Sequence, residues 1–294
     1  LAEGVRQLSL GRFESQVDIR SRDEFGDMGK IFNSVGPRLK ELYDLRLSLA
    51  LAMEVQQNLL PGQDPQVQGL DIAGKSIYCD ETGGDYYDFL AAGGQGKISV
   101  VVGDVSDHGI PSALLMTTAR AFLRQRAAWP GNIKDIVSDV NRLLTKDVEA
   151  SGRFMSLFYA EIDSSEQYIR WVRAGHDPAL FYDPATDTFS ELAGKGLPLG
   201  VFADSEYEEL RREIAPGQII TIGTDGIWET MNSQGIRFGK ENLKKIIRAQ
   251  AKEPAKQILS AVIEATNKFR EPLEQKDDVT IVIIKALAFW KWLG

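Results

Sequence analysis

Aspartate stands beside or within an apolar run at four points of the chain. These are Gly83-Gly84-Asp85-Tyr86-Tyr87-Asp88-Phe89, Gly103-Asp104-Val105-Ser106-Asp107-His108-Gly109, Thr224-Asp225-Gly226-Ile227-Trp228-Glu229 and Lys276-Asp277-Asp278-Val279-Thr280. A carboxylate against a buried strand is costly unless it is paired. One such aspartate ordinarily caps a helix or shapes a turn. Four recurrences of one arrangement point to a shared partner, and a cation is a partner several carboxylates can share. The chain has two histidines, His108 and His176, and one cysteine, Cys79. That inventory is too poor in nitrogen and sulfur for a Cys-based zinc cluster, whereas all-oxygen sites suit Mg²⁺ or Mn²⁺. Two such ions about 3.5–4 Å apart bridge a water, lower its pKa and polarise a phosphoryl oxygen. The chemistry this favours is hydrolysis of a phosphate ester. Ser106 near His108, or His176 beside Asp177, would suit a serine hydrolase, but sequence adjacency is not triad geometry and no Gly-x-Ser-x-Gly elbow occurs.

The elements that must position these aspartates are short and β-rich. Strand patterns fall at residues 70–78, 97–102, 155–162, 168–172, 218–222 and 279–284. Several are apolar at successive positions, as at Val279, Ile281, Val282, Ile283 and Ile284, so both faces are covered. Helical patterns at 111–127, 133–149, 240–251 and 254–269 come in pairs. Tight turns such as Asp163-Ser164-Ser165 favour antiparallel pairing. The expected class is α+β: a four-layer α-β-β-α sandwich of two antiparallel sheets flanked by helix pairs, preceded by an N-terminal helical, coiled-coil-like segment.

That first segment has its own pattern. Phe32, Val35, Leu39, Leu42, Leu49, Met53 and Leu60 follow a three-four step, with Arg46 and Gln56 filling two seam positions. Gly36-Pro37 interrupts the stripe, and a kink or helix boundary is expected there. Pro61-Gly62 ends the helix and residues 63–69 form a linker. The stripe suits either a helix packed on its own domain or a parallel dimer, and the expectation adopted is a homodimer through the N-terminal helices.

Composition narrows the function classes. With 34 Lys+Arg against 42 Asp+Glu the formal charge is −8, which argues against non-specific nucleic-acid binding. A single cysteine excludes an intrachain disulfide. No apolar run reaches the roughly 18 residues a membrane span needs. The opening Leu1-Ala2-Glu3-Gly4 lacks Met and reads as a point inside a longer chain.

Read in order, Gly84-Asp85, the 103–109 motif, Ala174-Gly175-His176-Asp177-Pro178, Gly196-Leu197-Pro198-Leu199-Gly200, Thr224-Asp225-Gly226 and Asp277-Asp278-Val279-Thr280 resemble the SpoIIE/RsbU branch of the PPM (type 2C-like) metal-dependent serine/threonine protein phosphatases. The resemblance spans roughly residues 65–285. It implies a binuclear Mn²⁺ or Mg²⁺ centre and a phosphoserine or phosphothreonine protein substrate, in this branch a phosphorylated STAS-domain anti-anti-sigma factor. Carried over, Asp85 and Asp104 hold the metal pair with the Val105 carbonyl, and Asp225 and Asp277 complete the set. Asp277 is preferred to Asp278, which is left to orient a water. Many relatives carry Gly at Asp107 and Asn at Asp177. Ser106 stands where the eukaryotic enzymes place a histidine, so the proton donor is unassigned. An inactive partner-binding switch module of the same fold is the alternative, and the four intact aspartates argue against it.

Residues 8–13, Val17-Asp18-Ile19, Asp23-Glu24-Phe25-Gly26-Asp27-Met28-Gly29 and Phe32-Asn33 resemble the later half of a HAMP signalling module. The expected organisation is a partial HAMP module at 1–36, a helical dimeric linker at 37–62, the phosphatase domain at 63–286 and an aromatic tail at 287–294. That resemblance implies the cytoplasmic output portion of a bacterial inner-membrane sensor, with membrane contact only through an upstream segment. The linker helix would then reposition residues 104–126.

Overall fold

Strands that are apolar on both faces need a cover on each, and the computed structural model, which describes residues 1–80, 82–92 and 96–288, supplies it with four layers. One sheet runs β1 (Leu70–Ile77), β10 (Val279–Ala286), β9 (Ile219–Gly223), β6 (Ala179–Asp183), β7 (Thr188–Leu192). The other runs β2 (Tyr86–Ala91), β3 (Lys97–Val105), β4 (Met155–Asp163), β5 (Tyr168–Ala174), β8 (Glu209–Glu213). All the neighbours are antiparallel.

Alternation along each strand sorts its side chains into separate cores. On β3, Val100 and Val102 point between the sheets, packing with Phe158, Phe181, Ile222 and Ile284. Val101 and Val105 point outward, against Met116, Leu123, Val137 and Leu144 of helices α3 (Ile110–Ala127) and α4 (Ile133–Val148). On β10, Val282 and Ile284 face the other sheet, while Val279, Ile281 and Ile283 meet Leu243, Ile258 and Val262 of α5 (Gly239–Ala249) and α6 (Ala255–Arg270). Each fully buried aliphatic side chain contributes about 1.5–3 kcal/mol, so this double burial is what fixes the register at the strand ends.

The chain divides into two compact units, Leu1–Val55 and Gln56–Gly294. In the first, α1 (Ala2–Ser9) leads through a connector to α2 (Glu24–Gln57). Asp23 caps α2 by accepting from the Phe25 amide at 3.0 Å. Asn33 pins the connector by exchanging hydrogen bonds of 2.8 and 2.9 Å with the Val17 backbone. The helix continues through Pro37, so of the two expected outcomes there, a kink or a boundary, the boundary does not occur. Proline removes one donor and leaves the rest of the ladder intact, and neighbouring Gly36 leaves room for the Phe13 carbonyl, which a Cβ would meet at 2.3 Å. Phe32 is buried, whereas Phe25, Ile31, Leu42, Leu45 and Leu51 are all more than half exposed.

Strands β2, β6, β7 and β8 were not expected from the pattern. Among the described residues no helix is long and apolar enough to cross a membrane. Of the aromatic tail, residues 289–294 lie outside the described residues.

Candidate active site

Antiparallel pairing brings the four motifs to one end of the sandwich. In one sheet Tyr86 pairs with Gly103, so Asp85 and Asp104 stand opposite each other one step further on. In the other, Gly223 pairs with Ile281, which sets the Asp225 turn beside the Asp277-Asp278 start of β10. Three groups stitch the two sheets together there. The Asp278 carboxylate accepts from the amides of Cys79 at 2.9 Å, Gly84 at 2.8 Å and Asp85 at 3.3 Å. The Thr224 hydroxyl donates to Asp85 Oδ2 at 2.8 Å and accepts from the Thr280 amide at 3.0 Å. His176 Nδ1 lies 2.7 Å from Ser156 Oγ, and its Nε2 lies 3.1 Å from the Gly223 carbonyl. Gly226 is required by the Asp278 carbonyl, which would stand 1.9 Å from any Cβ.

The electrostatics of this end are unusual for a protein interior. Asp85 is 1% exposed, and burial, reinforced by Asp104 and Asp278, raises its carboxyl well above the ordinary range. Burial and then Asp225, Asp277 and Asp278 push Asp104 up to about 8. Asp225 is raised by burial, Glu229 and Asp177. Asp277, exposed at the rim, is raised to about 6 by burial and Asp225. Ion pairs beside the cluster engage other aspartates: Arg153 with Asp107 at 3.7 Å and Lys240 with Asp177 at 3.2 Å. Asp88 shows the contrast. It is fully buried too, but Arg124 grips both its oxygens at 2.6 and 2.8 Å and the Tyr86 hydroxyl donates to it at 2.7 Å. That is a structural lock, whereas the five carboxylates at the strand ends lack any cationic side chain in an ion pair among the described residues.

The donor set therefore fits hard divalent cations in kind: several oxygen donors, partly desolvated, short of positive charge. Among the described residues no three His, Cys, Asp or Glu side chains form a ready-made cage. The carboxylates feel one another strongly but are held by Thr224 and backbone amides rather than closed around a point.

All four expected aspartates lie at this end of the sandwich, close enough to shift one another's carboxyls. Val105 is buried beside them, its amide 3.4 Å from the Gly84 carbonyl. Sequence reasoning assigned no role to Thr224 or Thr280, and it underrated Asp278. Their part is hydrogen bonding across motifs about 60 to 200 residues apart, which spacing along the chain does not reveal. His108 is exposed, with Nδ1 2.8 Å from Asp80 Oδ2, while His176 is 2% exposed.

Comparison with known proteins agrees with this geometry. The family model for Stage II sporulation protein E (SpoIIE) matches residues 94–287. The chain is 26% identical over 242 residues to the phosphoserine phosphatase RsbU of Bacillus subtilis (strain 168), covering 82% of this chain and 71% of RsbU. It is 31% identical over 189 residues to the phosphoserine phosphatase RsbP of the same organism, covering 62% of this chain and 45% of RsbP. It thus spans about half the length of RsbP. The SiaA-PP2C domain of Pseudomonas aeruginosa superposes with a TM-score of 0.71 at 21% identity, over 83% of this chain and 98% of that domain, and shares the two-sheet fold.

Proposed function

The chain belongs to the Stage II sporulation protein E (SpoIIE) family of PP2C-like phosphatase domains, and from that premise we propose that it removes phosphate from phosphoserine or phosphothreonine on a regulatory protein. The observation that carries this reading is the convergence of Asp85, Asp104, Asp225 and Asp277 at one end of the sandwich, partly desolvated and without a basic partner. These four, with the Val105 carbonyl, would hold two Mn²⁺ or Mg²⁺ ions. Such ions supply the Lewis acidity that activates a water and polarises a phosphoryl oxygen.

The protein's own groups then divide the work. Asp278 and Thr224 fix the backbone and side chain of Asp85. Asp104, in the middle of the cluster, is flanked by paired strands on both sides. The exposed rim at Asp277 leaves room for a phosphorylated side chain to approach from solvent.

RsbU and RsbP are both named phosphoserine phosphatases, which supports a phosphoprotein substrate. A STAS-domain protein is the substrate class that the motif resemblance favours. The exposed apolar face of α2 supports pairing of two chains through their N-terminal helices. The helix–connector–helix of residues 1–36 supports a HAMP-derived input, and with it the cytoplasmic side of a membrane sensor. Gln56, in the last turn of α2, exchanges hydrogen bonds of 2.6 and 3.1 Å with the Gly83 backbone, and Arg120 of α3 donates to the Leu59 carbonyl at 2.8 Å. The first contact ties Gln56 to the backbone just before Asp85 within the second unit. Gln56→Ala is expected to shift the Mn²⁺ concentration that gives half-maximal activity.

The test of the central reading is Mn²⁺-dependent release of phosphate from p-nitrophenyl phosphate and a phosphoserine peptide, with Asp104→Asn as control. Activity that Asp104→Asn leaves undiminished sinks the assignment.

A further inference from the structure

We propose that His176 is a positioning residue: a neutral imidazole strut that spans the two sheets and sets the separation between the Asp85/Asp104 half and the Asp225/Asp277 half of the carboxylate cluster. The inference rests on the phosphatase reading and goes further, by assigning a role to a residue that touches neither substrate nor cation.

The hydrogen bonds determine the tautomer. A carbonyl only accepts, so Nε2 carries the ring proton and donates it to Gly223 O at 3.1 Å. Nδ1 is then the acceptor, and the Ser156 hydroxyl donates to it at 2.7 Å. Burial lowers the imidazole to about 4, which keeps this neutral form in place at neutral pH.

The two partners belong to different sheets and lie next to the residues that matter. Ser156 is the ladder partner of Asp104 across β3 and β4. Gly223 ends β9, two residues before Asp225. Each nitrogen therefore bonds a neighbour of one half of the cluster. Its own backbone is held in turn: the Gly175 amide donates to the Gly196 carbonyl at 2.9 Å, Gly175 bridges to Leu157, and the Arg173 guanidinium donates to the His176 carbonyl. Burial alone requires both nitrogens to be paired; it is the placing of the two partners on opposite sheets at this end of the sandwich that gives the ring a spacing role. The ring reaches the proposed ligands through Ser156, across the ladder from Asp104, and Gly223, two residues before Asp225, and such outer partners help set how a cation site is spaced.

The experiment is Mn²⁺ titration calorimetry on the full chain, with thermal melts and phosphate-release kinetics on the same preparations. His176→Phe keeps the ring volume and removes both hydrogen bonds. It is expected to weaken Mn²⁺ binding by about 10–100-fold while melting cooperatively. The KM for p-nitrophenyl phosphate at saturating Mn²⁺ should be unchanged, because the ring does not reach substrate. His176→Gln, which retains a donor for Gly223, should recover part of the affinity. A His176→Phe protein that is folded and binds Mn²⁺ within about two-fold of the unmodified chain overturns the strut, since that lies well below the usual loss. If His176→Phe does not fold, Ser156→Ala decides. It removes one of the two bonds and leaves the imidazole packed, and unchanged Mn²⁺ affinity there also overturns the proposal. If the unmodified chain binds no Mn²⁺ or Mg²⁺, the failure lies with the phosphatase reading and the strut falls with it.

Discussion

Asp85 and Asp104 come from the sheet that α3 and α4 cover, and both sit on or against backbone that is paired on either side. Asp225 and Asp277 come from turns of the opposite sheet, and Asp277 is open to solvent at the rim. The chemistry follows the burial. The deep half is shifted most, with Asp85 raised well above the ordinary range and Asp104 to about 8, while Asp277 reaches only about 6. At neutral pH the rim carboxylate is already mostly ionised, whereas burial and mutual repulsion hold the deep pair towards the protonated form. The rim half is therefore suited to capturing a cation, and the deep half to holding it where water is excluded.

That difference predicts unequal damage. Asp104→Asn should lower kcat by about 10²–10³-fold, the usual loss when an active site is deprived of one strong electrostatic group. Asp277→Asn should act mainly on apparent Mn²⁺ affinity, with a smaller loss of kcat at saturating metal. Steady-state kinetics across a Mn²⁺ series distinguishes the two, and equal losses of kcat would break the distinction between a deep and a rim half.

The next largest effect belongs to the stitch between the halves. Thr224→Val keeps the side-chain shape but removes the hydroxyl that donates to Asp85 and accepts from the Thr280 amide. A loss of about ten-fold in Mn²⁺ affinity is expected, at the low end for groups that orient ligands. Calorimetry checks it. No change would mean that Asp85 is positioned by Asp278 alone.

Much of this was legible in the residues. The doubly buried strands β3 and β10 announced themselves through unbroken apolar runs, and the four aspartates through their recurrence beside them. What escaped notice has physical reasons. Strand β8 is Glu-Leu-Arg-Arg-Glu at a sheet edge, where one partner strand suffices and no apolar alternation is needed. Strand β2 begins Tyr86-Tyr87-Asp88, and Asp88 reads as a turn residue until Arg124, 36 positions away, is seen to neutralise it. The family resemblance ranked Asp277 above Asp278. The structure divides them differently, with Asp278 gripping three backbone amides and Asp277 facing solvent. Pro37 does not end its helix, because a proline breaks one helical bond and the surrounding turns of α2 persist.

The smallest expected effect is thermal, and its sign follows from the burial contrast. Asp104 takes up its proton near pH 8 in the folded chain and near 3.8 in the unfolded one. Between those values the folded state holds the extra proton, so stability is full below about pH 4 and is lost as pH rises through 8. Asp104→Asn has no such group. With divalent ions chelated, its melting temperature should match that of the unmodified chain near pH 4 and exceed it increasingly as the pH rises to 8. His176, lowered to about 4, works in the opposite direction between pH 4 and 6.5, but it is common to both proteins and cancels in the difference. Adding Mn²⁺ at pH 8 should stabilise the unmodified chain by mass action and close or reverse the gap. For Asp277→Asn the same comparison should give a smaller difference, and most of it should develop by pH 6, where the rim carboxyl titrates. Identical curves for the two variants would mean that depth within the cluster does not govern when its carboxylates ionise.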